Sequence, residues 1–208
     1  MSQRDRFLNW QRRAPPRMRY LVDSVLGRIV PALEREGFVW YADFAGNDPQ
    51  EIGGNEIPLQ RRGTADVWPT VQIYFYRGIR SPLFRIAFSG LPRICRSPVK
   101  SGIPRERAVA HYGPAYFFLH RKNYNSEFGF NWMLLLIPSP RNIVRLIRYL
   151  YNWRKFIDSE VQSAADHLPE LIELFDRGIP EEWLLRPRGP VTDHVTLVHS
   201  WSIWGRLH

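Results

Sequence analysis

Apolar residues along the chain change period several times, and each change marks an element. From Arg17, residues Met18, Leu21, Val22, Val25, Leu26, Ile29 and Leu33 recur at three- and four-residue spacing, which predicts a helix with one buried stripe. Pro31 should kink or shorten that helix, and Gly37 is a good stop for it. The period then falls to two. FVWYADF (38–44), EIPLQRR (56–62), VWPTVQIYFY (67–76) and LFRIAFSG (83–90) read as successive strands of an antiparallel meander. The second is expected at an edge, because Pro58 has no N–H for a ladder. AYFFLHRK and FGFNWMLLLIP read as a further hairpin after a proline-rich, basic loop over 91–107.

Helical spacing returns after PSPRN, with Ser139 as an N-cap and Pro140 at the first helical position. One long helix is expected there, burying Ile143, Leu146, Ile147, Leu150, Trp153, Ile157 and Val161. LPELIELFDRG should form a separate, shorter helix opened by Pro169 and closed by Gly178, and RPRGP should break the chain. The alternating tail VTDHVTLVHSWSIW reads as a closing strand. Together these elements predict an α+β domain: a mostly antiparallel sheet of about five to seven strands, packed by an N-terminal helix and a long helix in the C-terminal half. Residues 1–14, with Arg4, Arg6, Arg12 and Arg13 beside Phe7, Leu8 and Trp10, read as a basic arm or a short helix, leaving 15–208 as a single domain.

The strand VWPTVQIYFY is apolar in both phases. Val67, Pro69, Val71, Ile73 and Phe75 point one way; Trp68, Thr70, Gln72, Tyr74 and Tyr76 point the other. The second face is either covered by the rest of the fold or a platform for stacking bases or partner side chains.

Composition narrows the chemistry. Of 208 residues, 44% are hydrophobic and 24% charged, a globular balance able to build a core. The single cysteine, Cys95, forbids an internal disulfide and fits a reducing compartment. No signal-like or membrane-spanning apolar run is seen. A soluble, cytoplasmic protein with no membrane association is therefore expected.

Catalytic patterns are missing. There is no GxGxxG or GKS/T phosphate loop. Asp193, His194 and His199 lie on one predicted strand, where histidines five apart face opposite sides and cannot easily share an ion. Asp43, Asp48, Glu51 and Glu56 have no lysine beside them to serve metal-dependent phosphoryl chemistry. Cys95 is read as an ordinary free thiol rather than a nucleophile. No catalytic residue, metal or cofactor is expected.

Charge points to a partner. Lys and Arg total 29 against 20 Asp and Glu, a net charge of +9, and only Lys100, Lys122 and Lys155 are lysines. Arginine offers a forked donor suited to phosphate and carboxylate. Arg141, Arg145, Arg148 and Lys155 fall on one side of the long helix, and Arg61, Arg62, Arg77 and Arg80 flank the aromatic face of Trp68, Tyr74 and Tyr76. The reading is a non-catalytic binding protein whose arginine-rich, aromatic surface engages a polyanion, foremost nucleic acid. The alternative is an interaction module, of inhibitor or toxin-immunity type, that covers an acidic protein. In the order helix, GF-strand, WPTVQIYF, FRIAFSG and late LPELIELFDRG, the chain resembles small bacterial α+β domains, some associated with toxin immunity; the likeness is one of layout and assigns a role to no residue.

Overall fold

The structure, a computed structural model, describes residues 3–40, 55–61, 68–76, 82–91, 115–119, 128–130, 139–177, 188–190 and 195–199. Within them the order is α1 (Gln3–Arg13), α2 (Pro16–Arg35), β1 (Val39–Trp40), β2 (Glu56–Gln60), β3 (Trp68–Phe75), β4 (Leu83–Leu91), β5 (Ala115–Leu119), β6 (Phe128–Gly129), α3 (Pro140–Tyr151), α4 (Trp153–Arg177), β7 (Arg188–Pro190) and β8 (Val195–His199). The strands run β1-β2-β3-β4-β5-β8-β7, with β6 also on β4, and every pairing is antiparallel. The protein is thus α+β with an antiparallel sheet, as its periodicity predicts.

Most of the α2 stripe is buried as expected: Met18, Leu21, Val22, Val25, Ile29 and Leu33 enter the core with Val30 beside them, while Leu26 is only half-buried against it. The helix passes through Pro31 to Arg35 and is stopped by Gly37, which takes φ 83° just beyond the cap residue Glu36. Phe38 N–H reaches Leu33 O at 3.1 Å and Gly37 N–H reaches Glu34 O at 3.0 Å, the paired bonds of a glycine-terminated helix that satisfy its last carbonyls. Residues 3–13 are helical, and Phe7 is fully buried against Trp40 and Phe75 with ring centroids 5.9 and 5.8 Å away. A segment readable as an arm therefore contributes an anchor to the core.

β2 lies between β1 and β3, not at an edge. Phe75 N–H bonds Asn55 O at 3.0 Å and Arg61 N–H bonds Pro69 O at 2.9 Å, so odd-numbered β2 residues exchange bonds with β3. Pro58, at an even position, keeps its nitrogen off that ladder. The register also sets the faces. Ile57, Leu59, Val71, Ile73, Ile86 and Phe88 meet α2 and α4 across the main core, while Glu56, Gln60, Thr70 and Gln72 lie on the opposite face. These four polar residues are buried too, with Gln60 Nε2 donating to Thr70 Oγ1 at 3.2 Å and the Tyr74 hydroxyl donating to Gln72 Oε1.

The largest departure is in the helices after Ser139. One long helix was expected over 140–161 and a second from Pro169. Instead the break falls at Asn152, and α4 runs through Pro169 to Arg177. Asn152 has φ −150° and ψ 83°, closes α3 by donating its N–H to Arg148 O at 3.1 Å, and opens α4 by accepting the Lys155 N–H on its side chain, also at 3.1 Å. One asparagine caps both helices. Pro169 is exposed while Leu168, Leu171 and Ile172 beside it are buried. Burial of those three offsets the hydrogen bond that proline cannot make. Arg188–Pro190, expected only to interrupt the chain, forms a short strand on β8.

Candidate interaction surface

Helix α3 carries no acidic residue, and it is set into the fold with its charge turned inward. Ser139 Oγ accepts the Asn142 N–H at 3.2 Å and starts the helix with Pro140. Within it the buried residues are Arg145 and Tyr149, whereas Ile143, Ile147 and Leu150 are 51%, 59% and 61% exposed and Val144 and Tyr151 are exposed beside them. The expected stripe of Ile143, Leu146, Ile147 and Leu150 is thus not the buried side. Only Leu146, packed beside a small aromatic cluster, is half-buried.

The reason is a compact set of bonds under the helix. Arg145 donates to Gly129 O at 2.7 Å and to Glu160 Oε2 at 3.1 Å, and the same Glu160 oxygen accepts the Gly129 N–H at 3.1 Å. An ion pair from two helices thereby satisfies both backbone groups of Gly129, which has φ 106°. A Cβ on Gly129 would sit 2.1 Å from Pro82 O, so the close approach requires glycine. Around this pair Phe130 stacks on Tyr149 with centroids 4.5 Å apart, and the Arg145 guanidinium lies 5.4 Å from the Phe156 ring centroid. Arg17 of α2 completes the attachment, donating to the Tyr149 hydroxyl at 2.9 Å.

The expected site residues therefore separate. Arg141, Arg148 and Lys155 are exposed, but Arg145 is buried and paired, so the three α3 arginines do not form one solvent-facing cationic surface. Arg61 is half-buried, ion-paired with Asp176 and 5.0 Å from the Phe38 ring centroid, a strap between β2 and α4. Tyr74 is half-buried and bonded to Gln72, and Tyr76, also half-buried, has the Arg85 guanidinium 5.7 Å from its ring centroid. Side chains of Trp68, Arg62, Arg77 and Arg80 lie outside the described residues, as do those of Cys95, Asp193, His194 and His199 and of Asp43, Asp48 and Glu51. What the sequence reading missed is the exposed apolar ridge of α3. Apolar spacing alone could not show it, because what turns the helix over, the bonding of Arg145 to Gly129 and Glu160, joins distant parts of the chain.

Two other features lie between α2 and α4. Between α2 and α4 a groove of about 680 Å³ is lined by Gly27, Pro31, Ala165 and Pro169 among others. Neither proline has an N–H to give the carbonyl four residues earlier, so the Gly27 and Ala165 carbonyls lack their helical donor there. Charges of both signs, Arg28 and Arg35 against Asp166 and Glu173, border it. At its near end Asp158 gathers Tyr20, Ser24 and Arg28. Among the described residues no three His, Cys, Asp or Glu side chains are grouped to hold a metal ion, and no helix is long and apolar enough to cross a membrane. Comparison of the chain with protein-family models, with curated proteins and with solved structures returns no match.

Proposed function

We propose that the protein is a non-catalytic interaction module that binds a protein partner through the outward ridge of α3. The observation that carries this reading is the inversion of that helix: Arg145 is buried in an ion pair while Ile143, Ile147 and Leu150 face out. A contiguous apolar surface left open on a folded domain is the usual mark of a docking site, and anchors at i, i+4 and i+7 are the spacing by which a helix packs into a groove. The lone cysteine supports a reducing, cytoplasmic setting.

Co-purification of the tagged chain from its native host, with nuclease treatment and mass spectrometry, tests the proposal. The expected result is one stoichiometric protein, retained after nuclease and lost from an Ile147→Asp variant that still folds. A partner retained by that variant defeats the reading. A second reading, binding of nucleic acid, draws support from the exposed Arg141, Arg148, Arg154 and Lys155. Anisotropy titrations with random single- and double-stranded oligonucleotides at low salt separate the two, because phosphate binding weakens steeply with salt and leaves the ridge uncovered.

A further inference from the structure

From the placement of charge around the ridge we infer its occupant, resting on the docking reading above: a groove between two helices of an acidic partner, apolar along its floor and carboxylate-bearing along one rim. Successive residues of a helix turn by about 100°. Leu150, Ile143, Ile147, Tyr151 and Val144 then fill one arc, and Arg148 and Arg141 follow directly on the Val144 side. The other side passes into half-buried Leu146. The positive rim is therefore one-sided, with its two members two helical turns, about 10 Å, apart along the axis.

No ion pair holds Arg141 or Arg148 among the described residues, and the two carboxylates that follow them in the chain are engaged elsewhere: Asp158 with Tyr20, Ser24 and Arg28, Glu160 with Arg145. Docking would carry both guanidinium groups to the edge of an apolar contact, where partner carboxylates strengthen association and select register. A second copy of this chain fits poorly, since its α3 would bring two more arginines and no carboxylate. Nucleic acid would meet the arginines and leave five apolar side chains in water. An anionic bilayer has no need of a rim on one side only.

Full-length protein is titrated by fluorescence anisotropy against two labelled helical-hairpin probes that share one leucine-lined groove. One probe has a glutamate rim and the other a lysine rim. The glutamate probe should bind at least tenfold more tightly. Arg141→Glu with Arg148→Glu should reverse that preference, and Ile147→Asp should abolish binding of both, with circular dichroism and Tm unchanged in each variant.

Equal binding of the two probes, or of neither, overturns the inference. So does a ridge-dependent dimer seen by light scattering, or stronger binding to phosphatidylglycerol vesicles than to the glutamate probe. The host partner separates failure here from failure of the docking reading. A partner lost with Ile147→Asp but kept by the double arginine variant leaves docking intact and removes the acidic rim, whereas one kept by both removes the two together.

Discussion

Helices α3 and α4 follow each other across a single residue, Asn152, and both have an apolar stripe, but the stripes are used in opposite senses. In α4, Ile157, Val161, Ala164, Leu168 and Leu171 meet the sheet and α2 in the main core. In α3 the stripe faces out, and what attaches the helix is Arg145 with its two acceptors and Tyr149 stacked on Phe130. Periodicity reports that a helix has an apolar side. It does not report what covers that side. An ion pair, a glycine backbone and an aromatic stack are enough to invert the usual arrangement, and the inverted helix is where a partner is sought.

The contrast breaks most severely at the ion pair. Glu160→Ala leaves Arg145 buried without its carboxylate, and removing one partner of a buried pair costs about 3–5 kcal/mol. Arg145→Met with Glu160→Met should recover part of that loss, because exchanging both charges removes the uncompensated one, but not all of it, because the Gly129 N–H and C=O lose their partners at about 1–3 kcal/mol each. Chemical denaturation of the two variants measures the difference. Equal losses would mean that the cost lies in the backbone groups of Gly129 and not in the uncompensated charge.

Next in size is the comparison of the two stripes by deletion. Leu21→Ala in α2 or Val161→Ala in α4 opens a cavity in the main core, and the leucine truncation should cost about 2–5 kcal/mol. Ile147→Ala on α3 should change stability by less than about 0.5 kcal/mol, as exposed substitutions do. A large loss at Ile147, measured as a fall in the urea midpoint, would show that the ridge is covered within the protein itself.

Much of this fold is written in periodicity. The α2 stripe, its stop at Gly37 and the meander from β2 to β4 follow from apolar spacing and turn residues, because there the pattern and the packing agree. The break between α3 and α4 was hidden for a physical reason: Asn152 is a modest helix residue but an excellent cap, and caps act through hydrogen bonds to residues three and four away that spacing of apolar side chains does not register. Pro169 misleads in the opposite direction, since burial of Leu168, Leu171 and Ile172 outweighs one lost bond. The inward turn of Arg145 was illegible because its partners, Gly129 and Glu160, come from distant parts of the chain. Arg141 and Arg148, by contrast, stand exposed as their helical positions suggest.

The cap that separates the two helices is worth about 1 kcal/mol. Asn152→Ala removes the acceptor of the Lys155 N–H, and thermal unfolding should register a loss of that size. Asn152→Asp should retain most of it, because the aspartate side chain accepts the same bond, while its charge favours the N-terminus of α4 and opposes the C-terminus of α3. If alanine is tolerated without loss, the junction is set by packing of Trp153 against Tyr20, whose rings meet edge-on at 5.3 Å.

The smallest effect is also the one that distinguishes the α2–α4 contact from the α3 attachment by pH. The Tyr20 hydroxyl donates to Asp158 Oδ2 at 2.8 Å. That hydrogen bond, then partial burial and the neighbouring negative charge, raise the Tyr20 pKa above its ordinary value of 10.0, with Arg154 and Arg28 opposing. A pKa raised by folding means that the folded state holds the proton more tightly than the unfolded chain. Its contribution to stability is fully present below the ordinary tyrosine range and is lost as pH rises through the folded-state value. Tyr20→Phe should therefore lower stability by no more than about 1 kcal/mol near neutral pH, and the gap from wild type should close in strongly alkaline solution. The bonds that Glu160→Ala removes, to Arg145 and to the Gly129 N–H, do not involve the phenol proton, so that variant should stay equally destabilising across the same range. Urea midpoints of wild type and both variants from pH 7 upward measure this; a Tyr20→Phe deficit that persists undiminished would mean that the phenol acts through packing and not through its proton.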